Sequence, residues 1–290
     1  MLRKITRSAM VLLVLCAIAG AARAADLKDP NQIIKKSWEH ISSLNSYSYD
    51  IWGEGWEKDL SDIQNRTKNV AGEVADKYGN KLASNAKDAP KSSAKPKKMG
   101  YHVKYRFMKP YLLQMVVTQS DYVPKIIYGS VMTYRPDKDA TIFFFKPKYS
   151  LVSIKRGIET ESGTLLQSTM DMEFIEIEGL SKDAKPVLKG VKNFDGKDCY
   201  DIAFDYTAKK LPKGHAVDYK KWNSIPKEIR FAITKQAMDI DGKEVTSLHY
   251  LFDKKTLWLV GTEEYDMDGK LKYTKWFRNI TENDLKEGDF

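Results

Sequence analysis

The sequence predicts an α+β fold: one strongly curved antiparallel sheet, an incomplete β-barrel, with helices packed on its concave side as a lid. Between Tyr101 and Phe145, short apolar runs are parted by Lys-Pro and Pro-Asp breaks. Short spacings of this kind are typical of antiparallel neighbours. In the C-terminal half the tripeptide Asp-Gly-Lys occurs three times, and Asp-Gly between alternating runs is a strong hairpin signal.

The N-terminus has the pattern of a secretory signal peptide. A basic start is followed by the apolar run Met10 to Gly20 and by the small-residue site that ends at Ala24. We therefore expect residues 1–24 to be removed after Ala24, and residues 25–290 to form a single periplasmic domain. A large leucine precedes Cys16, which disfavours lipidation of that cysteine.

The formal net charge of +9 is concentrated in two places, the signal peptide and residues 58–98. The remainder is nearly balanced, so the charge does not indicate a nucleic-acid groove. Residues 58–98 read as a basic, partly flexible helical insert, because the stretch from Lys81 onward is rich in Lys, Ala, Ser and Pro. The helix is expected to pack on the sheet edge, and a mobile flap that touches membrane or cargo is the alternative.

A first helix is expected from Asp29, which is a good cap, and Pro30, which suits the first helical position. It should end near Leu44 and lead into a strand that contains Tyr47 and Tyr49. The predicted apolar face of the helix consists of Ile34, Trp38 and Ile41.

The stretch from Tyr101 to Phe145 is the candidate wall of an apolar cavity. Its first strand places His102, Lys104 and Arg106 outward and aromatic residues inward. Tyr and Met combine apolar area with a polar tip or an adaptable shape, which favours a ligand cavity over a fully packed core. The predicted lining residues are Tyr101, Tyr105, Phe107, Leu113, Met115, Val117, Tyr128 and Phe144.

Between Leu151 and Gly179 the apolar spacing changes and predicts two short helices parted by Gly163. Leu165, Leu166 and Met170 would form the lid over the cavity. After them we expect three hairpins, Val191 to Tyr206, Ile229 to Phe252 and Leu257 to Phe277. Two of their turns resemble calcium loops but lack the closing acidic ligand.

No residue set recommends catalysis. The four histidines are scattered, and nucleophile-elbow, phosphate-loop and dinucleotide motifs are absent. Cys199 reads as a small buried strand residue. The sequence therefore predicts a protein that is not an enzyme and that needs neither metal nor cofactor.

The order of several short motifs resembles the LolA/LolB-like family of periplasmic lipoprotein carriers. The motifs are Leu44 to Tyr47 after the first helix, Lys109-Pro110-Tyr111, Tyr128-Gly129 before Tyr134-Arg135-Pro136, and the ending Phe277 to Asn283. The resemblance implies an incomplete barrel that holds acyl chains. It also implies a lid latch at Lys109, where such carriers usually have Arg; Lys lacks the forked donor geometry of Arg.

The sequence thus leads to two hypotheses of function. The first is a carrier of acyl chains from lipids or lipoproteins, a monomer without nucleic-acid partners that meets the lipoprotein machinery of the inner or outer membrane. The second is an envelope sensor of the same fold, which binds a membrane-anchored protein through the insert at 58–98.

Overall fold

The computed structural model describes residues 27–57, 97–121, 125, 128–139, 141–148, 153–157, 169–205 and 247–290. These residues form two α-helices, a sheet of eleven strands and a terminal 3-10 turn at Glu287–Asp289. The helices are α1 (Pro30–Ser43) and α2 (Met170–Asp183). The strands are β1 (Ser46–Glu57), β2 (Lys97–Met108), β3 (Leu112–Ser120), β4 (Val131–Tyr134), β5 (Ile142–Lys146), β6 (Ile154–Gly157), β7 (Val187–Phe194), β8 (Lys197–Asp205), β9 (Ser247–Asp253), β10 (Leu259–Tyr265) and β11 (Leu271–Glu282).

The strands form one open antiparallel sheet in the order β6-β5-β4-β3-β2-β1-β11-β10-β9-β8-β7. The first and last strands pair at the centre, and each wing is a meander that leads away from them. The two edges, β6 and β7, lie at opposite ends of this order, so the sheet does not close into a barrel. The predicted fold class, a curved antiparallel sheet with helices on its concave side, is confirmed.

Helix α1 begins as predicted. The Asp29 carboxylate accepts a hydrogen bond from the Asn31 amide at 3.0 Å, and Pro30 is the first helical residue. The buried face differs slightly from the prediction. It consists of Ile33, Ser37 and Ile41, whereas Ile34 and Trp38 are half-buried.

The first of the two helices predicted after Leu151 is wrong. Residues Ile154–Gly157 form β6, which pairs with β5 from Ile142 to Phe145. The free edge of β5 offers backbone partners that a helix in this place would leave unpaired, and this pairing overrides the local apolar spacing. Helix α2 begins only at Met170, where the Thr169 hydroxyl accepts a hydrogen bond from the Met172 amide at 3.1 Å.

Two of the three Asp-Gly turns lie in the described residues, and both connect paired strands. Asp195 and Gly196 have φ values of 52° and 78° between β7 and β8, and Gly269 has a φ of 71° between β10 and β11. Glycine adopts such values without strain, which is why the turns form here. The third turn lies outside the described residues. So do Tyr206, the predicted end of the first hairpin, and Ile229, the predicted start of the second. Strand β9 pairs with both β8 and β10.

Strands β1 and β2 pair along their whole length, up to Glu57 opposite Lys97. Lys97 and Lys98 therefore belong to the sheet and not to the predicted insert at 58–98. The ammonium of Lys98 pairs with the Glu54 carboxylate of β1. Residues 58–96 lie outside the described residues, and they connect the two paired ends of this hairpin.

Candidate functional site

The concave face of the β1–β5 wing is apolar and continuous across the strands. The register places Tyr105 opposite Met115 and Phe107 opposite Leu113, and side chains of directly opposed residues share one face. The structure thus brings together five predicted wall residues, Tyr105, Phe107, Leu113, Met115 and Val117, whose exposed fractions range from 0 to 7 %.

Tyr101 lies further along the same face, at its half-buried end. Its ring covers Gly53 of β1, where a Cβ atom would overlap the ring. The Tyr273 hydroxyl of β11 donates a hydrogen bond to the Tyr101 hydroxyl at 2.8 Å. The Tyr101 side chain of β2 therefore passes over Gly53 of β1, which has no side chain, and contacts Tyr273 of β11.

Tyr128 also packs against the core but lies in the turn before β4. Its hydroxyl donates a short hydrogen bond to the Ser120 carbonyl at the end of β3. This bond fixes the polar tip of Tyr128 at the margin of the apolar face.

Phe144 is a correction, because it does not belong to this face. It lies opposite Thr133, and Thr133 lies opposite Gln114, on the side of the sheet away from Met115. Its neighbour Phe145 lies opposite Met132, which lies opposite Met115. Three aromatic residues in a row carry no alternation, so the sequence did not show which of them points inward.

The predicted wall did not include β1, although Tyr47 and Tyr49 are fully buried there. Tyr47 stacks on Phe107 at a ring separation of 4.7 Å, and Tyr49 stacks on Tyr105 at 5.2 Å. The alternation of tyrosines in β1 was an available signal. The central part of the wall is therefore a two-strand aromatic ladder, and the other concave residues missed by sequence are Ile51, Val103, Met132, Tyr134, Phe143 and Phe145.

Helix α2 covers this ladder with acidic side chains, which the sequence analysis also missed. Glu173 is 2 % exposed, and its Oε1 lies 2.6 Å from the Lys275 ammonium of β11. Its other oxygen, Oε2, is buried and has no hydrogen-bond partner. Asp171, which is 9 % exposed, faces the Tyr111 hydroxyl.

Burial is the main cause of the shifted pKa values of the acidic side chains on α2. It raises the pKa of Asp171 to about 6, against the opposing effects of the Tyr111 hydroxyl and the Lys109 charge. It also raises the pKa of Glu176 to about 7, with a further contribution from the negative Glu173. Burial disfavours the charged amine of Lys275, but the Glu173 carboxylate outweighs it and holds the pKa of Lys275 above its usual value.

The tyrosine hydroxyls under α2 are protonated donors. Burial, and then the negative charge of Asp171, raises the pKa of Tyr105 well above its ordinary value. The Tyr105 hydroxyl is buried and has no hydrogen-bond partner. Burial, with the nearby tyrosines and acidic residues, also raises the pKa of Tyr47, Tyr49 and Tyr111.

Of the predicted lid, the described residues contain only Met170. It is fully buried and starts α2, whereas Leu165 and Leu166 lie outside the described residues. The predicted latch residue Lys109 donates from its ammonium to the Ser42 carbonyl at 2.9 Å. This contact neutralises the C-terminal end of α1, where a cation is favourable.

The convex face carries polar side chains that pair with or stack on their neighbours. His249 Nδ1 lies 2.7 Å from the Asp201 carboxylate, and the His102 ring stacks on Trp52 at 3.9 Å.

Within the described ranges no group of three or more His, Cys, Asp or Glu residues is arranged to hold a metal ion. Cys199 is a buried thiol in β8, and burial raises its pKa to about 12. Neither described helix has the length and apolarity needed to cross a bilayer.

No protein-family model matches the sequence, and no curated protein matches it. Several solved structures are similar over most of their length. The lipoprotein LppX of Mycobacterium tuberculosis shares 9% identity at a TM-score of 0.43, with 88% of this chain and 96% of that chain covered. An uncharacterised conserved protein from Thermus thermophilus shares 6% at 0.42, with coverages of 89% and 90%. A LolA superfamily protein from Nitrosomonas europaea shares 9% at 0.31, with coverages of 90% and 97%.

The last of these carries the family name that the sequence motifs resemble. At such identities the similarity concerns the course of the chain and not the side chains that would form a site.

Proposed function

We propose that this protein binds acyl chains of lipids or lipoproteins in the periplasm and carries them between membranes. The observation that supports the proposal is the continuous apolar concave face of the β1–β5 wing.

The composition of this face suits a chain without fixed shape. Aromatic rings of β1 and β2 provide flat apolar area, and Met115 and Met132 provide adaptable side chains. Burial of each chain methylene contributes about 0.8 kcal/mol, so twelve or more methylenes provide useful affinity without a charged anchor.

Binding is tested by displacement of a fluorescent fatty acid from the purified mature chain and by native mass spectrometry of protein isolated from envelopes. We expect a bound acyl species and its displacement by myristate. A protein that is isolated empty and that binds no fatty acid would refute the proposal.

Two neighbouring residues of β4 give a matched test of the face. Met132 and Thr133 are both half-buried, and the register places them on opposite sides of the sheet. Met132→Lys puts a charge on the concave face and should weaken fatty-acid binding at least tenfold, whereas Thr133→Lys should leave it unchanged. Equal effects of the two substitutions would show that binding does not occur on the concave face.

The second candidate is the sensor that the sequence suggested, which would contact a membrane-anchored protein through residues 58–96. Because Glu57 and Lys97 pair directly, an Asn-Gly turn can replace this segment without disturbing the sheet. On this reading the shortened chain still binds fatty acid but no longer co-purifies with the partner from envelope extracts. If the shortened chain keeps every partner of the full chain, the sensor reading is wrong.

A further inference from the structure

Exposed apolar side chains collect at one end of the sheet. Among the described residues, five large apolar side chains are exposed, and three of them belong to this end: Trp56 at 46%, Met267 at 70% and Leu271 at 41%. The other two are valines of the edge strand β7. A single exposed apolar residue needs no explanation, but several at one place mark a surface that contacts another apolar body.

The three residues are neighbours because two strand ends and one turn meet there. Strand β1 pairs with β11 as far as Gly55 opposite Tyr273. Trp56 therefore lies at the end of β1 beside Leu271 at the start of β11, and Met267 lies in the turn that connects β10 to β11. We call Trp56, Met267 and Leu271 the apolar rim.

The turn that carries Met267 is held by its own hydrogen bonds. The Asp266 carboxylate accepts from the amides of Asp268 and Lys270 at 3.0 and 2.9 Å. It also lies 3.9 Å from the Lys272 ammonium. Asp266 is thus satisfied within the turn, whereas the Met267 side chain projects into solvent.

The charges around the apolar rim nearly balance. Eight charged residues of these strand ends and this turn form four neighbouring pairs of opposite sign: Lys98 with Glu54, Lys97 opposite Glu57, Lys272 with Asp266, and Lys270 with Asp268 in the turn. Glu264 of β10 adds one negative charge. A partner that is recognised by strong charge, such as a nucleic acid, therefore has little to bind here, whereas a bilayer takes up apolar side chains without requiring such charge.

The apolar rim borders the half-buried end of the apolar concave face. Tyr101 and Tyr273, which share a hydrogen bond of 2.8 Å, lie at that end. The Tyr273 ring would overlap a Cβ atom at Gly55, the residue before Trp56, and Tyr273 is two residues from Leu271. An acyl chain that leaves the concave face at this end would pass directly to whatever the apolar rim contacts.

We propose that the apolar rim docks on the surface of a phospholipid bilayer. Trp56 suits the headgroup level, because its ring is apolar and its N–H is polar. Met267 and Leu271 suit the adjacent acyl chains, which require no partner of fixed shape. The inference rests on the proposed function, because a carrier of acyl chains has to meet a bilayer in order to load or release them.

Vesicle binding by the mature chain tests the proposal. Sucrose-loaded vesicles of phosphatidylethanolamine and phosphatidylglycerol are sedimented with the protein in about 0.5 M salt, where charge attraction reaches only a few ångströms. This salt suppresses the attraction of the basic residues 58–96 to acidic lipid. We expect the protein to sediment with the vesicles. Binding that occurs only at low salt, or no binding at all, would overturn the proposal.

The test variant combines Trp56→Gln, Met267→Gln and Leu271→Gln, which removes apolar surface without changing the charge. We expect its affinity for the vesicles to be at least tenfold lower. The control combines Val187→Gln and Val191→Gln, the two exposed valines of β7, and should bind as the wild type does.

Urea unfolding checks that both variants fold. If the triple variant does not, Met267→Gln alone changes only the most exposed of the three side chains and should lower the affinity two- to threefold. Equal binding by the folded rim variant and the wild type, or an equal loss in the valine control, contradicts the proposal.

Displacement of the fluorescent fatty acid separates the two proposals. The rim variant should still bind fatty acid in solution, because the apolar rim lies outside the concave wall. If the wild type binds no fatty acid, the proposed function fails, whatever the apolar rim binds. If fatty acid binds but the rim variant keeps its full affinity for vesicles, the inference fails alone.

Discussion

The Lys275 ammonium of β11 lies 2.6 Å from the Glu173 carboxylate of α2, and both side chains are largely removed from water. The pair connects the centre of the sheet to the helix that covers the concave face. A buried ion pair gains little net stability over apolar residues, but the loss of one partner leaves the other charge uncompensated.

Removing that cation should therefore destabilise the protein strongly. We expect Lys275→Met to lower the free energy of unfolding by about 3 kcal/mol at pH 8, because the buried Glu173 carboxylate loses the cation that it pairs with. The double variant with Glu173→Gln should recover most of the loss. Urea unfolding measures both, and Lys35→Met in the exposed Lys35–Glu39 pair, 3.7 Å apart, should change stability by less than about 0.5 kcal/mol. A double variant no more stable than Lys275→Met would contradict this account.

Asp171 should make stability depend on pH. Its pKa rises from about 3.9 in the unfolded chain to about 6 in the folded protein, so the folded state favours the protonated form. Its contribution is most favourable below pH 4, declines as pH rises to 6, and is constant above about pH 7. Asp171→Asn imitates the protonated form. The free energy of unfolding of this variant should be about 2 to 3 kcal/mol higher than that of the wild type at pH 8. At pH 4 the two free energies should be equal. A constant difference between the two pH values would show that Asp171 does not titrate in this way.

Gly53 should tolerate no side chain while the hydrogen-bonded pair Tyr101 and Tyr273 is present. A Cβ at Gly53 would overlap the Tyr101 ring, so we expect Gly53→Ala to lower the free energy of unfolding by about 1 to 3 kcal/mol. In the presence of Tyr101→Ala the same substitution should cost less, because the ring has gone and the Tyr273 hydroxyl, which would lie 2.5 Å from the new Cβ, is the end of a side chain that has lost its hydrogen bond to Tyr101. Thermal or urea unfolding of the four proteins in this cycle measures the coupling, and strict additivity would place the ring elsewhere.

The Cys199 thiol should be unreactive in the native protein. It is fully buried, and burial raises its pKa to about 12, so thiolate is scarce and inaccessible. Its reaction with a disulfide reagent at pH 8 should be at least a hundredfold slower than in urea. Rapid labelling without denaturant would show that β8 opens readily.

The fold was predictable because strand alternation and turn chemistry are local. Asp195-Gly196 and Asp268-Gly269 form the expected turns, and five wall residues of β2 and β3 share a face as their spacing indicated. Phe144 was assigned to the wrong face because three consecutive phenylalanines show no alternation of apolar and polar residues. The strand at Ile154–Gly157 was mistaken for a helix because it is stabilised by pairing with β5. The spacing of apolar residues within the segment itself does not reveal that partner.

The sequence alone determined the curved antiparallel sheet, the cap of α1 and the apolar character of the concave wall, since each depends on residues close together in the chain. Only the tertiary structure decided which groups face that wall. Tyr105 and Glu173 are 68 positions apart in the printed sequence, and no spacing rule connects them. Their common burial and the ion pair with Lys275 arise when α2 packs over the centre of the sheet, where low polarity changes the acidity and the hydrogen-bonding needs of side chains that look ordinary in sequence.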